Sequence, residues 1–232
     1  MEISGKTALV TGANRGLGRH LAQQLRDRGA NVYAAARNPA TVDLEGVTPV
    51  ALDITNPESV AAAVAATSDI SILVNNAGIS TGASVLGGSF DDIRLELETH
   101  YLGTLAVVRA FNPQLAEHDE SAILNVLSAL SWFSMPQWGA YSAAKSAQWS
   151  LSNALRQELA GQGTTVTALH VGYMDTDMVR EVDAPKADPA EVAAFAIQGI
   201  AEGSPEVLAD DTSRQVQAGL AGGVKALYPQ FA

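Results

Sequence analysis

No cysteine occurs among the 232 residues of the chain, which excludes disulfides, thiolate nucleophiles and the usual thiolate ligands of structural zinc. That lack suits a reducing compartment, and a cytoplasmic location is expected. Cations are scarce as well: 14 Lys and Arg stand against 25 Asp and Glu, for a net charge of −11. An extended interface with a nucleic-acid backbone needs clustered Lys and Arg, so nucleic acid is not an expected partner. No stretch approaches the ~18 consecutive apolar residues of a membrane span. The N-terminus MEISGKTALV also lacks the basic start, apolar stretch and cleavage site of a secretion signal. The expectation is a soluble chain that is neither exported nor embedded in a membrane. The four histidines, at 20, 100, 118 and 170, show no ligand spacing, so no metal site is expected.

What is present is a large apolar fraction, 47% of residues, enough for one large core, and residues 1–232 read as a single domain. Short β-rich runs alternate with helical stretches, which predicts an α/β, Rossmann-type, doubly wound parallel sheet of about seven strands with helices on both faces. Strands are expected near residues 6–11, 31–36, 48–52, 70–75, 121–127, 164–170 and 206–209. Helices are expected at 16–28, 57–66, 90–116, 141–161 and 189–202, the second opened by Asn56 as cap and Pro57 at its first position. The C-terminal part, about 177–232, would carry substrate-side elements, and its stretch between Asp177 and Pro189 could form a modest flap or an undirected surface loop.

The first strand, KTALVT, runs directly into GANRGLG and then into a helix with Leu17, Leu21, Ala22 and Leu25 on one face. Gly12, Gly16 and Gly18 let the backbone turn tightly and approach a pyrophosphate, which the helix N-terminus would receive. The spacing is GxxxGxG, and a tight turn that merely closes helix onto sheet is the alternative reading. At the end of the second strand stand Ala36 and Arg37, where an acidic side chain would bind the free ribose hydroxyl of NAD. Without that acid, and with Arg15 inside the glycine turn, the pattern suits a 2′-phosphate, so NADP(H) is the expected cofactor.

Further along, Tyr141 and Lys145 lie four apart in YSAAK, thirteen residues after Ser128. On a helix this spacing places both side chains on one face, about 5–6 Å apart. An ammonium about 4 Å from a phenol would favour the phenolate and could lower its pKa from ~10 by up to about three units. The phenol could then exchange a proton with a carbonyl near neutrality. Ser128 has its own alternative, as a strand-end serine capping a turn.

With these residues together the sequence resembles the short-chain dehydrogenase/reductase family from about Lys6 to Thr176. TGANRGLG, which contains Asn14, Arg15 and Leu17 beside the glycines, matches the family's TGxxxGxG turn. Asp53 matches its adenine-contacting acid, and Asn75, Asn76, Ala77 and Gly78 reproduce its NNAG. Ser128, Tyr141 and Lys145 match its catalytic residues, while Gly172 and Thr176 match its PGxVxT segment. The resemblance implies that Lys145 also grips the nicotinamide ribose. Family members often pair through the helices here spanning 90–116 and 141–161, which implies a homodimer. The acidic DDTSRQVQAGL stands where the family's C-terminal glycine segment supports tetramers.

Two positions depart from the pattern: His100 replaces an asparagine three residues before Gly103, and Val171 replaces a proline, which frees a φ angle and would allow extra mobility. The implied activity is interconversion of a carbonyl compound and its alcohol. Leu130, Trp132, Phe133, Met135, Trp138 and Tyr173 flank the matched residues, so a small apolar or aromatic ketone or aldehyde is the expected substrate. No basic residue near them offers a partner for a carboxylate or a coenzyme A phosphate, which favours simple carbonyl compounds over acyl carriers. A non-catalytic NADP-binding regulator and an epimerase or dehydratase are the competing classes; the latter usually need more chain than the roughly 55 residues after Thr176.

Overall fold

The turn signals and apolar runs of the sequence become seven strands in one sheet, each parallel to its neighbours. The computed structural model describes residues 1–231. Its strands are β1 (Thr7–Thr11), β2 (Asn31–Ala36), β3 (Thr48–Ala51), β4 (Ile72–Asn75), β5 (Ser121–Val126), β6 (Thr164–His170) and β7 (Glu206–Leu208). Every expected strand is present, with limits that agree within two residues. The order is β3-β2-β1-β4-β5-β6-β7. Chain direction across the sheet therefore reverses between β1 and β4, and ligand clefts in such sheets open at the strand carboxyl ends beside that reversal.

Helices cover both faces, as expected for strands whose residues are apolar without alternation. β1, β4 and β5 are buried along their whole length. On one face, α1 (Gly16–Asp27) and α6 (Pro189–Glu202) pack Leu17, Leu21, Leu25, Val192 and Ile200 against the sheet. On the other, α2 (Pro57–Ala65) contributes Val60 to a second core cluster. Asn56 caps α2 by accepting from the Ser59 amide at 2.9 Å, with Pro57 following as the sequence signalled. Phe111 is fully buried in the same cluster, and its truncation to alanine should cost about 3–5 kcal/mol.

The long helix expected over 90–116 is interrupted. It divides into α3 (Phe90–Leu97), a π-helical turn (Glu98–Gly103) and α4 (Thr104–Leu115). Gly103 lies where a Cβ would come within 3.0 Å of both the Glu98 carbonyl and the Ile54 side chain, so a larger residue would crowd the wide turn. The helix expected over 141–161 runs instead from Gly139 to Glu158, as α5, and a 3₁₀ turn at Ala160–Gln162 ends in Gly163 with φ +79°. Beyond β7 the chain forms α7 (Asp211–Gly219), capped by Asp210, and α8 (Gly223–Leu227). Among the described residues no helix is long and apolar enough to cross a membrane.

Candidate active site

The glycine turn joins β1 to α1 at the point where the strand order reverses. Gly12 and Gly16 have φ of +65° and +52°, the left-handed region that glycine enters without strain. Gly18 is constrained by space: a Cβ there would lie 2.2 Å from the Gly12 carbonyl oxygen. Thr11 and Asn76 lock this turn to β4. The Asn76 side-chain amide donates to the carbonyls of Thr11 (2.9 Å) and Gly12 (3.2 Å), and the Asn76 and Ala77 backbone amides each donate to Thr11 Oγ1 at 3.0 Å. Thr11 was not singled out as a site residue, although its place between strand and glycine was visible.

The first turn of α1 holds no acidic residue, and its N-terminus has no side-chain cap. Its amides and positive dipole end thus suit an anion. Arg15 is exposed, with 70% of its side chain accessible, and stands 3.6 Å from Asp177. Arg37 is also exposed, just past β2. Asp53 follows β3 and accepts from Thr55 Oγ1 (2.7 Å) and the Thr55 amide (3.0 Å). The Thr55 hydroxyl, with a smaller contribution from the Arg37 charge, holds its carboxyl below the usual range. Across the turn, a Cβ on Gly16 would meet the Thr176 methyl at 3.5 Å.

At the other end of the cleft Ser128 follows β5 and caps the turn Ala129–Ser131, its Oγ accepting from the Leu130 amide at 3.1 Å. The capping alternative is therefore real, yet the same hydroxyl also lies near enough to the Tyr141 phenol to ease its ionisation. Lys145 is buried one turn along α5 from Tyr141, its Nζ 5.7 Å from the ring centre. The ammonium donates to the Val126 carbonyl (2.7 Å) and to Gln148 Oε1 (3.0 Å), and Gln148 donates on to Thr104 Oγ1 (3.0 Å).

These positions overturn the expectation that Lys145 acidifies the phenol. Enclosure by protein pushes the Tyr141 phenol well above its ordinary value, opposed by Ser128 and reinforced by the Glu96 charge. The same enclosure pushes Lys145 down to about 7, with Glu96 partly offsetting it. Desolvation disfavours both charged forms and is the largest influence on each.

Behind Tyr141 lies a buried pair that the sequence reading only half anticipated. His100 meets the Tyr141 ring edge-on, with centres 5.2 Å apart, and its Nε2 stands 2.9 Å from the Ile79 carbonyl oxygen and 3.3 Å from Glu96 Oε2. Burial, then the Lys145 charge, lowers its pKa and keeps the imidazole neutral. Glu96 carried no motif; only its place four residues before His100 on a helix could have flagged it.

The Gly172 segment is tied to its neighbours by hydrogen bonds although the proline is missing. Val171 is buried, its carbonyl accepts from the Ala129 amide at 2.9 Å, and the Gly172 amide donates to Asp210 Oδ2 at 2.6 Å. Every residue expected at the site, from Gly12 through Arg37, Asp53, Asn76–Gly78, Ser128, Tyr141 and Lys145 to Gly172 and Thr176, lines one cleft of about 620 Å³.

A family model described as short chain dehydrogenase matches residues 6–187. The chain belongs to the short-chain dehydrogenase family. A crystal structure of a short chain dehydrogenase from Burkholderia cenocepacia, in complex with NADP, is 37% identical, superposes with a TM-score of 0.94 and covers 99% of this chain and 98% of its own. A dehydrogenase/reductase SDR family protein 7-like of Drosophila melanogaster is 29% identical over 93% of this chain and 76% of the relative. A 3-oxoacyl-(acyl-carrier-protein) reductase of Vibrio cholerae is 30% identical over 79% of each.

In this short-chain dehydrogenase the wall opposite the glycine turn is apolar. Leu130, Phe133, Met135, Trp138 and Tyr173 line the cleft, joined by Met178 and Val179 from the segment after Thr176. Trp132 does not. It stacks on the fully buried His170 with ring centres 3.7 Å apart, and so belongs to the packing beneath Ser128. His170 ends β6 as a core residue, its Nδ1 3.3 Å from the Ser128 carbonyl oxygen.

Proposed function

We propose that this oxidoreductase uses NADP(H) to interconvert a small apolar or aromatic ketone or aldehyde and the corresponding alcohol, with Tyr141 as acid and base. The observation that carries the reading is the placement of Tyr141, Ser128 and Lys145 on the wall of the same cleft as the glycine turn, beside an apolar surface. The dinucleotide fits the residues present: uncapped α1 amides for the pyrophosphate, Asp53 for the adenine, and Arg15 and Arg37 for a 2′-phosphate on an otherwise acidic chain. Asn14, Leu17, Asn76–Gly78, Gly172 and Thr176 would line its path, and Lys145 would hold the ribose nearest the reaction. Bound NADP(H) supplies or accepts the hydride.

The chain's own groups then handle the proton. The raised phenol of Tyr141 is protonated at neutral pH, the state that reduction requires, and it passes that proton to the oxygen as the carbonyl becomes an alcohol. In the reverse direction it takes the proton back. Ser128 holds the same oxygen by a hydrogen bond, and the cation of Lys145 limits the charge that develops on the phenol. The test is oxidation of NADPH and NADH over a panel of aromatic and aliphatic ketones and aldehydes, with an acyl-carrier thioester included. Fastest turnover of an aromatic ketone with NADPH is expected. Cofactor binding without turnover of any member would favour the non-catalytic regulator, and fastest turnover of the thioester would replace the substrate class.

A homodimer through residues 90–116 and 141–161 is part of this proposal. It is supported by the apolar side chains on and just before α3, where Leu86 is 99% exposed and Phe90 75%.

A further inference from the structure

We propose that Glu96 is a positioning residue for the Tyr141–Lys145 pair: its buried carboxylate clasps Thr81, stands beside the imidazole of His100 that packs on Tyr141, and supplies a fixed negative charge beneath the site. The inference rests on the proposed role of Tyr141 and goes beyond it to what sets the pH range of that pair.

The observation begins with an inverted helix. α3 buries one residue, Glu96, at 0% exposure, while Phe90, Leu95 and Leu97 of the same helix are exposed. An ordinary amphipathic helix does the reverse. A carboxylate out of water is costly unless its lone pairs are met. Glu96 Oε1 accepts from the Thr81 amide at 2.6 Å and from Thr81 Oγ1 at 3.0 Å. Oε2 makes no hydrogen bond of its own and stands 3.3 Å from His100 Nε2, which bonds instead to the Ile79 carbonyl oxygen.

The imidazole is then fixed by elimination. Its Nε2 faces the Ile79 carbonyl and the Glu96 carboxylate, both of which only accept, so Nε2 carries the proton. Nδ1 is buried with no partner among the described residues and bears the lone pair. The ring so held touches two walls of the cleft. It stands edge-on to Tyr141, and a Cβ on Gly78 would lie 2.7 Å from its Cε1.

The charged surroundings are few. α5 presents Tyr141 and Lys145, and the π turn presents His100. Glu98 on that turn is exposed and Tyr101 packs into the second core cluster, while Ile79–Thr81 has no titratable side chain. Burial raises Glu96, but its contacts with His100 and Thr81 more than reverse this and keep it ionised. That anion opposes a phenolate at Tyr141 and supports the ammonium of Lys145.

Removing the charge should make both groups lose protons more easily. Glu96→Gln, with nearly the same shape, is therefore expected to move both limbs of the pH–kcat profile to lower pH by about half a unit to one unit. NADPH affinity should remain within about twofold, on the reasoning that a long-range charge alters protonation more than cofactor contacts. His100→Asn, which leaves the Glu96 charge in place, should lower kcat without that acidward shift. An unshifted Glu96→Gln profile would overturn the inference while leaving the proposed function intact, provided Tyr141→Phe is inactive in the same assay. An active Tyr141→Phe would overturn both. Should Glu96→Gln fail to fold, the nitrogen NMR shifts of His100 in the unaltered protein decide: a neutral ring protonated at Nε2 supports the inference, and a proton on Nδ1 or a charged ring refutes it.

Discussion

The two ends of the cleft are built on different physics. At the glycine turn, position is set by backbone: two positive-φ glycines, a third with no room for a side chain, and Thr11 and Asn76 binding main-chain groups. At the tyrosine wall, position is set by buried ionisable side chains, with Lys145, Glu96, His100 and His170 all withdrawn from water. The backbone geometry of the first end does not depend on protonation. The second answers to pH, because each group's charge depends on its neighbours'.

The largest expected effect tests the tyrosine wall. Tyr141→Phe should retain NADPH binding, measured by fluorescence, and lose at least about a hundredfold in kcat. Retention of turnover would make that wall a mere lining.

Stability against pH separates the ends next. Lys145 holds its proton to about 7 in the folded chain, but to about 10.4 when unfolded. Between those values the unfolded state binds more protons, so stability rises with pH through this window, and the penalty for burying the ammonium is complete below about 7. Across pH 7 to 9 the gain is on the order of 2–3 kcal/mol. Urea midpoints of the unaltered protein should climb over that range, and those of Lys145→Met should stay flatter. Parallel curves would show that burial does not control this lysine.

Gly18→Ala should instead cost about 1–3 kcal/mol at every pH, since its mechanism is steric. Thermal melts at pH 6 and pH 9 check this, and a loss confined to one pH would blur the contrast. The smallest effect belongs to Arg37→Asp. It should raise the Kd for NADPH about tenfold and leave NADH nearly unchanged. Equal loss of both cofactors would remove Arg37 from phosphate recognition.

The division in legibility follows the same line. The glycine turn, the strand pattern and the Ser128–Tyr141–Lys145 spacing were readable because they are properties of neighbours along the chain: a turn needs φ above zero, and a helix repeats every 3.6 residues. The glycine turn, Arg37 and Ser128 each follow an expected strand, so the strand pattern places them at one sheet edge. The π turn was not readable from periodicity, which runs unbroken along 90–116, whereas Ile54 reaches Gly103 there from a distant loop. Nor could the sequence separate Trp138, in the cleft, from Trp132, stacked on His170.

By itself, then, the order of residues determined the doubly wound sheet, the glycine turn and the roster of polar groups at the strand ends, because local backbone preferences and periodic burial carry that information. Only tertiary structure decided how those groups behave. It put Glu96 and His100 behind Tyr141, gave Lys145 a backbone carbonyl and Gln148 as partners, and reversed the expected shift of the phenol. Desolvation and Coulomb energy are sums over whatever surrounds a group in space, and that surrounding comes from segments far apart in the chain.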